Sequence, residues 1–390
     1  MVHVCFVGYG ISSPWNEGKR VISRNIIDAL KRETDLDISV VSTVGKNEGR
    51  MKGVEYAKST QLTRYTRGYD ILRDAAMIRI INSVDRRKEI EIMHLLNAHF
   101  PVFAFYAKRL RKGKGRGKGR GRPVLAHFFG NPHFNHLKRV RVPRAIELYF
   151  TTSLETRWFA DLGVKNFRAV NPPINTDLFK PLKPTDKLKA RRYLNLPEDK
   201  FIVLYIGNLG EVRFSASFVE EVKFLRDPNN LLLILANQID NYWQNSKALC
   251  KENVILRREI LSEEQKVLVY NAADAFILPF SKETNSYKHV FIIDPPITML
   301  EAMSCGVPVI APAVFSIPKI IRDGHNGNGY LTSLGDFEKV DAVLHLMSEE
   351  VGRGGGINAN ARKTILNEFS YKKTAARMKQ IYEEVLTVND

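Results

Sequence analysis

Cysteine is scarce in this sequence, with only three residues of this type among 390. Cys5, Cys250 and Cys305 lie far apart and do not follow the paired spacing of a zinc site. The sequence therefore predicts neither a disulfide framework nor a structural zinc ion. The thiols that lie in apolar segments are expected to pack as small hydrophobic side chains.

Long apolar runs are also lacking. No stretch approaches the roughly 20 consecutive apolar residues that a membrane-spanning helix needs. The first apolar run, Val2 to Val7, is too short for a secretory signal and meets Gly8 instead of a cleavage site. Since 44% hydrophobic and 26% charged residues are typical of soluble globular proteins, we expect a cytoplasmic protein.

Negative charge is in deficit, because 59 Lys and Arg against 42 Asp and Glu leave a net charge of +17. This excess indicates an anionic partner such as a nucleotide diphosphate, an acidic lipid surface or nucleic acid. From Lys108 to Arg122 the cations crowd together, with glycines between most of the later ones, which predicts a mobile loop. No aromatic residue is interleaved from Lys112 to Arg122, which argues against nucleic acid as the partner.

The basic loop has two interpretations. Together with Lys138, Arg139, Arg141 and Arg144, it is suited to peripheral contact with anionic phospholipid at the inner face of a membrane. Alternatively, it is a solvated insertion, because lengthening a surface loop costs little free energy.

Strand-length apolar runs alternate with helix-length amphipathic segments from end to end, which is the pattern of parallel sheets covered by helices. Prolines at 172, 173, 181 and 184 separate two such halves. We therefore predict an α/β protein with two Rossmann-like domains, residues 1–172 and 173–370. The predicted strands are 2–7, 38–42, 90–93, 124–126, 148–150, 167–170, 201–206, 231–235, 254–256, 275–278, 307–310 and 329–331.

Glycines follow the first predicted strand of each half. Gly8 and Gly10 do not continue as G-x-G-x-x-G, so the signal for a bound NAD is weak. Gly207 and Gly210 follow the first strand of the second half in the same way. Because ligands of open parallel sheets bind beyond the carboxyl ends of strands, these loops are candidate binding segments.

A helix start near the end of the second half offers a phosphate site. Pro295 and Pro296 suit the beginning of a helix, and its free amides at Ile297 and Thr298, with the helix dipole, favour an anion. Glu301 follows one turn later, where its carboxylate can accept hydrogen bonds from ribose hydroxyls. The alternative is that Glu301 is only a glutamate favoured by the helix dipole.

The run from Leu300 to Ile310, LEAMSCGVPVI, resembles the hallmark of a large family of retaining glycosyltransferases with the GT-B fold, in which two Rossmann-like domains face each other across a cleft. Other pieces resemble the family in the same order along nearly the whole chain. They are Glu17 to Lys19, Ile92 to His94, Val124 to His127, Ser153, Leu204 to Leu209 with Arg213, Asn271 to Pro279, Ile317 to Gly324 and Phe369 to Tyr371.

The resemblance implies roles for several of these residues. Gly18 and Lys19 would lie under the diphosphate, Gly207 and Asn208 would form the donor loop, and His127 would touch the donor sugar. His133 and His136, on the loop beyond His127, are expected to face the acceptor. The helix 371–390 is expected to cross back and pack on the first domain.

The chain departs from the family at one carboxylate. The family carries a second glutamate eight residues before Glu301, and this chain has Ile293 there. The neighbouring Asp294 is therefore assigned the contact with a hydroxyl of the donor sugar.

A second departure lies in the donor loop. Asn208 stands where the family usually has arginine. The charge of the diphosphate is therefore assigned to Arg213, with Lys282 and Lys288 as auxiliary cations.

The resemblance implies a glycosyltransferase that moves a sugar from a UDP- or GDP-sugar to a glycan, a lipid-linked sugar or a small molecule, with retention of anomeric configuration. No cofactor is expected, and no metal either. Asp35-Leu36-Asp37 is the only D-x-D sequence, and it more naturally ends the region before a strand. A nucleotide-sugar epimerase of the same architecture, an inactive relative and a nucleic-acid-binding relative remain as alternatives.

Overall fold

The computed structural model divides the chain into two compact units. Unit 1 comprises residues 1–173, 291–294 and 371–390, and unit 2 comprises residues 174–290 and 295–370. The sequence predicted the first boundary one residue earlier. The structure describes residues 1–15, 17–44, 48–58, 71–96, 110, 121–130, 146–157, 159, 163–210, 212–244, 246–282, 293–350 and 356–387.

Unit 1 is built on a seven-stranded parallel sheet of order β3-β2-β1-β4-β5-β6-β7. The strands are β1 His3–Gly8, β2 Asp37–Val44, β3 Val54–Lys58, β4 Ile92–Leu96, β5 Val124–Phe128, β6 Leu148–Thr151 and β7 Phe167–Ala169. Strand β1 is paired on both sides and is buried throughout, as its apolar sequence predicts.

Three helices of unit 1 lie within its described residues: α1 Gly18–Glu33, α2 Ile71–Arg87 and α11 Tyr371–Thr387. The predicted apolar stripe of α1 is confirmed, because Ile22, Ile26 and Leu30 are all buried. At one end of the α1–α11 pair, the Arg32 guanidinium lies over the Tyr371 ring at 5.5 Å. The C-terminal helix thus packs on the first helix of the same unit.

Unit 2 repeats this plan with a six-stranded parallel sheet of order β10-β9-β8-β11-β12-β13. Its strands are β8 Phe201–Ile206, β9 Asn230–Leu235, β10 Val254–Arg257, β11 Ala275–Ile277, β12 Val309–Pro312 and β13 Tyr330–Thr332. Its helices are α3 Pro184–Tyr193, α4 Ala216–Glu221, α5 Asn241–Gln244, α6 Glu263–Ala272, α7 Ile297–Ser304, α8 Ile317–Ile320, α9 Phe337–Glu350 and α10 Gly356–Glu368, with 3-10 turns at Lys223–Arg226 and Lys247–Cys250. Both units are Rossmann-like, which confirms the predicted fold class.

All twelve predicted strands are present, with ends that shift by up to three residues, and β3 is the one strand of the described residues that was missed. Its sequence, VEYAK, is short and carries Glu55 and Lys58, and only Ala57 among its first four residues is buried. A strand at the edge of a sheet pairs on one side only, so its apolar pattern is too weak to predict from sequence.

The prediction of a mobile basic loop is wrong for its last residue. Arg122 is 4% exposed, and its guanidinium donates to both carboxylate oxygens of Asp85, at 2.8 and 2.5 Å. A buried guanidinium requires such a partner, so the Arg122–Asp85 ion pair anchors the chain just before β5. Apart from Leu110 and Gly121, the rest of the loop lies outside the described residues, as do the basic residues from Lys138 to Arg144.

In the described part of the chain, no helix has the length and apolar character required to cross a membrane.

Strand order locates the crevice of each sheet. In unit 1 the chain proceeds outward from β1 through β2 to β3 on one side, and from β4 to β7 on the other. In unit 2 the corresponding reversal lies between β8 and β11. Ligands of open parallel sheets bind beyond the carboxyl ends of the strands at this point, so the loops after β8 and β11 are the first candidates.

Asp274, from the predicted motif before β11, holds unit 2 together. Its carboxylate accepts hydrogen bonds from Arg191 (2.6 Å), Lys187 (2.6 Å) and the Ile202 amide (2.7 Å). Arg191 and Asp274 are both nearly buried, with side chains 5% and 7% exposed. The pair therefore fixes α3 against the start of β8.

We expect Asp274→Ala to lower the free energy of unfolding by about 3–5 kcal/mol, because it leaves the Arg191 charge buried without its partner. Urea unfolding followed by circular dichroism measures this change. The matched control is Glu198→Ala, which breaks the exposed ion pair with Arg192 and should change stability little. Equal small losses in both variants would contradict the anchoring role of Asp274.

Candidate functional site

The loop after β8 is tightly folded. The Tyr205 hydroxyl donates to the Asn208 backbone carbonyl (2.9 Å), and the Asn208 side-chain Nδ2 donates to the Gln238 side-chain oxygen (3.0 Å). A Cβ at Gly207 would lie 2.6 Å from the Tyr205 hydroxyl oxygen, so only glycine fits there. Arg213 is half-buried at the end of this loop, where its amide donates to the Gly210 carbonyl (2.9 Å).

The loop after β11 is hydrogen-bonded to the loop after β8. The Ser215 amide donates to the Pro279 carbonyl (3.0 Å), and the Ser281 amide donates to the Val212 carbonyl (3.1 Å). The two loops at the reversal point of the sheet are therefore joined. This arrangement brings the segments of Arg213 and Lys282 together.

Lys282 itself is exposed, and its aliphatic stem lies against Gly335. A Cβ at Gly335 would approach the Lys282 Cγ to 2.7 Å, and the backbone φ of +65° also favours glycine there. The second predicted auxiliary cation, Lys288, lies outside the described residues.

The start of α7 has no side-chain cap. Its N-cap residue, Pro296, provides no side-chain cap for the first amides, and the first turn holds no acidic residue. Ile297 is buried and Thr298 is half-buried. Since α7 connects β11 to β12, its start lies at the carboxyl edge of the sheet, where free amides and the helix dipole attract an anion.

Glu301 lies in the middle of α7 and is 1% exposed. One carboxylate oxygen accepts a hydrogen bond from Lys266 (2.8 Å) and the other accepts one from the Tyr270 hydroxyl (2.8 Å). Burial and the neighbouring Glu301 charge raise the pKa of Tyr270 well above its usual value, so that its hydroxyl stays a donor. Sequence reasoning missed Lys266 and Tyr270 as partners of Glu301. Their spacing of four predicts that they share one helix face, but it does not predict that this face packs against Glu301.

Asp294 belongs to the part of the chain assigned to unit 1 and is 1% exposed. Its carboxylate accepts a hydrogen bond from the Ser153 hydroxyl, and its carbonyl accepts one from the Thr152 hydroxyl (2.8 Å). Ile293, where the family carries glutamate, is half-buried beside it. The contact of Asp294 with a donor sugar stays a prediction.

His127 lies on β5 in the interior of unit 1. Its ring is fully buried between Phe129, at a centroid distance of 5.0 Å, and His94 and Phe150, both at 5.4 Å. Neither ring nitrogen has a hydrogen-bond partner among the described residues. His94 forms a hydrogen bond through Nδ1 with the Tyr382 hydroxyl (2.6 Å).

Burial lowers the pKa of His127 to about 3. Burial and the neighbouring His127 lower the pKa of His94 well below its usual value. Both rings are therefore neutral in the folded protein at neutral pH. The sugar contact of His127 stays a prediction.

The first turn of α1 carries the predicted diphosphate residues Gly18 and Lys19. The helix start has no side-chain cap, and the Lys19 ammonium lies 3.1 Å from the Glu17 carboxylate, with both side chains partly exposed. His133 and His136, the predicted acceptor residues, lie outside the described residues.

The D-x-D residues, Asp35 and Asp37, lie at the amino-terminal edge of the unit 1 sheet. Asp37 begins β2, and its carboxylate accepts a hydrogen bond from Lys88 (2.8 Å). Asp35 pairs with Lys379 at 2.6 Å. Both carboxylates therefore lie at the amino end of a strand, away from the edge where ligands of such sheets bind.

The buried histidines should make stability depend on pH. The unfolded chain takes up a proton on His127 near pH 6.5, whereas the folded protein does so only near pH 3. The stabilisation is therefore fully present above about pH 6.5 and declines by about 1.4 kcal/mol per pH unit as the pH falls toward 3. Between about pH 7.5 and about pH 5, we expect His127→Phe to lose about 2 kcal/mol less stability than the wild type.

Urea unfolding at the two pH values measures this difference. His345→Phe, at an exposed position on α9, is the matched control and should keep the pH dependence of the wild type. An unchanged pH dependence in His127→Phe would show that the ring is protonated or solvated in the folded protein.

The sequence of this chain is similar to those of known proteins. Residues 200–349 match the family model described as Glycosyl transferases group 1. A D-inositol 3-phosphate glycosyltransferase of Corynebacterium aurimucosum is 27% identical over 267 residues. This match covers 63% of the chain but only 59% of the length of that relative.

Solved structures resemble the chain over nearly its whole length. Sucrose-phosphate synthase from Thermosynechococcus elongatus has a TM-score of 0.73 at 16% identity, with all of both chains covered. Anabaena HepE in complex with UDP-glucose has a TM-score of 0.73 at 14% identity and covers 98% of this chain and 100% of its own. Residues 200–349 of unit 2 are therefore similar to the Glycosyl transferases group 1 family, and the chain shares the GT-B fold of these solved structures.

Proposed function

We propose that the protein is a glycosyltransferase that moves a sugar from a nucleoside diphosphate sugar to an acceptor. The observation that carries this proposal is the uncapped start of α7, which follows the loop after β11 at the edge where the loop after β8 also ends. The UDP-glucose bound in the HepE complex supports this class of donor.

The proposed chemistry depends on stabilising the negative charge of the leaving diphosphate. When the sugar leaves, negative charge grows on the diphosphate while the sugar becomes oxocarbenium-like. Amides at Ile297 and Thr298 and the Arg213 guanidinium can stabilise that charge. Lys282 is an auxiliary cation on the joined loop. By the family resemblance, the reaction retains the anomeric configuration.

The proposed reaction needs no metal ion. The positions of Asp35 and Asp37 at the amino end of β2, each paired with a lysine, support this proposal. Turnover that is unchanged by a chelator such as EDTA is the expected result, and restoration of lost activity by Mg²⁺ or Mn²⁺ would contradict it.

The proposed acceptor carries an anionic group. The net charge of +17 and the inositol 3-phosphate in the name of the relative support this class. A soluble sugar phosphate and a lipid-linked phosphate share this chemistry. Radiolabelled donor, followed into the aqueous and the organic phase, distinguishes the two sources.

Product analysis also separates the alternatives. Incubation of the donor without an acceptor, followed by NMR, should give no epimerised nucleotide sugar. Formation of an epimer would favour an epimerase of the same architecture. Salt-dependent RNA binding without any sugar transfer would favour a nucleic-acid-binding role.

We expect UDP or GDP to bind and to raise the melting temperature of the protein, because a ligand of the folded state stabilises it by mass action. Arg213→Ala should weaken this binding by about 10- to 100-fold, since it removes a charge-assisted hydrogen bond. A thermal-shift assay measures the rise in melting temperature, and isothermal titration measures the affinity of the wild type and of the variant. Arg226→Ala, an exposed arginine on the 3-10 turn before β9, is the matched control and should bind as the wild type does.

No stabilisation by UDP, GDP, ADP or their sugars would contradict the proposed function. Equal affinity in Arg213→Ala and wild type would contradict the role of Arg213 alone.

The predicted sugar contact of Asp294 can be separated from its contact with Ser153. Asp294→Ala should lower kcat by about 10-fold or more if the carboxylate binds a sugar hydroxyl in the transition state. Ser153→Ala removes the same internal hydrogen bond but keeps the carboxylate, so its kcat should change less than about twofold. Steady-state kinetics measure kcat for both variants. Equal kcat values in the two variants would contradict the contact between Asp294 and the donor sugar.

A further inference from the structure

His94 and His127 lie on the same face of the unit 1 sheet, one layer apart. The register pairs His94 with Leu125 and Leu96 with His127, so the two rings project to the same side of neighbouring strands. His127 is the fourth of five residues in β5, whereas His94 is the third of five in β4. His127 therefore lies nearer the carboxyl edge, where ligands of such sheets bind, and His94 lies deeper.

Both imidazole rings are enclosed by other rings. His94 is fully buried and stacks on Phe6 at a centroid distance of 5.0 Å and on His127 at 5.4 Å. The Phe150 ring lies against both histidines, at 4.8 and 5.4 Å. Neither nitrogen of His127 has a hydrogen-bond partner among the described residues. In this part of the chain, the orientation of His127 therefore depends on the rings packed around it.

A hydrogen bond to the C-terminal helix fixes the deeper histidine. Tyr382 on α11 is fully buried, with its ring edge-on to His94 at 5.7 Å and its hydroxyl 2.6 Å from Nδ1. Burial raises the pKa of Tyr382 and lowers the pKa of His94, so both groups are neutral. A phenol is a stronger acid than a neutral imidazole, so the hydroxyl donates and Nδ1 accepts.

We propose that Tyr382 and His94 are positioning residues, which hold the His127 ring in place for its predicted contact with the donor sugar. This inference rests on the proposed function. Tyr382 restrains His94 through the hydrogen bond, and His94 restrains the ring that is stacked on it. A neutral imidazole has one donor and one acceptor nitrogen, so the orientation of His127 decides which of them meets a sugar hydroxyl.

Removal of one hydroxyl tests this chain of contacts. Steady-state kinetics of the full chain on UDP- and GDP-sugars, with inositol 3-phosphate as the acceptor, give kcat and KM. We expect Tyr382→Phe to lower kcat about 10-fold, because a small displacement of a positioned group is costly in the transition state. The KM for the donor should change less than about threefold, since the proposed contacts of the diphosphate are untouched.

A double-mutant cycle shows whether Tyr382 acts through His127. In His127→Phe the ring to be positioned is absent, so the further change Tyr382→Phe should alter kcat less than about twofold. Tyr371→Phe is the matched control, because it removes a hydroxyl from the first residue of the same helix. This control should keep the kcat of the wild type.

A paired substitution separates positioning from folding. His94→Phe with Tyr382→Phe replaces both partners of the hydrogen bond by apolar rings and leaves neither of them unpaired. Its urea midpoint should therefore stay close to that of the wild type, while its kcat stays low. Recovery of the wild-type kcat in this variant would overturn the inference, since an unpaired polar group would then explain the loss in Tyr382→Phe.

NMR of the histidine ring nitrogens gives a readout that does not depend on turnover. The signals of His127 are identified by their loss in His127→Phe. They should shift in Tyr382→Phe, because the neighbouring ring is no longer held, and should not shift in Tyr371→Phe. Unshifted His127 signals in Tyr382→Phe would contradict the inference.

The kinetic results separate this inference from the proposed function. Equal kcat in Tyr382→Phe and wild type would overturn the inference, while the proposed function stands. The same loss of kcat in the wild-type and His127→Phe backgrounds would also overturn it and leave Tyr382 a structural residue only. Wild type that turns over none of these donors would overturn both.

Discussion

The parallel order of the unit 2 sheet is the constraint on which the site depends. After β8 the chain turns to one side of the sheet, and after β11 it turns to the other, so a crevice opens beyond their carboxyl ends. Backbone hydrogen bonds from Ser215 and Ser281 join the two loops there. The uncapped start of α7 belongs to the same edge because α7 follows β11. The segments that carry Arg213 and Lys282 thereby lie beside each other at this edge.

The carboxylates of Asp274, Glu301 and Asp294 differ in their hydrogen-bond partners. Asp274 has three donors and holds α3 to the sheet, whereas Glu301 accepts hydrogen bonds from Lys266 and Tyr270. Asp294 is held by Thr152 and Ser153 in unit 1. The donors around the Asp274 carboxylate come from two side chains of α3 and one backbone amide of β8, which is the arrangement of a structural anchor.

Unit 1 buries two imidazole rings, those of His94 and His127, in their neutral form. His94 and His127 stack at 5.4 Å among aromatic rings, and burial keeps their pKa values low. Neutral rings lower the cost of enclosing polar atoms that lack partners among the described residues, namely both nitrogens of His127 and Nε2 of His94. Polar groups retained in such an interior at this cost are consistent with a role beyond packing.

The sequence by itself determined the α/β class, the strands except β3, the two glycine loops and the helix that begins after Pro296, because these follow from local periodicity and from the backbone limits of glycine and proline. Only the tertiary structure decided which donors surround Asp274, Asp294 and Glu301. It also decided that Arg122 is an anchor rather than part of a loop. These outcomes depend on residues distant in sequence, since a buried charge is stable only beside a partner that folding brings to it.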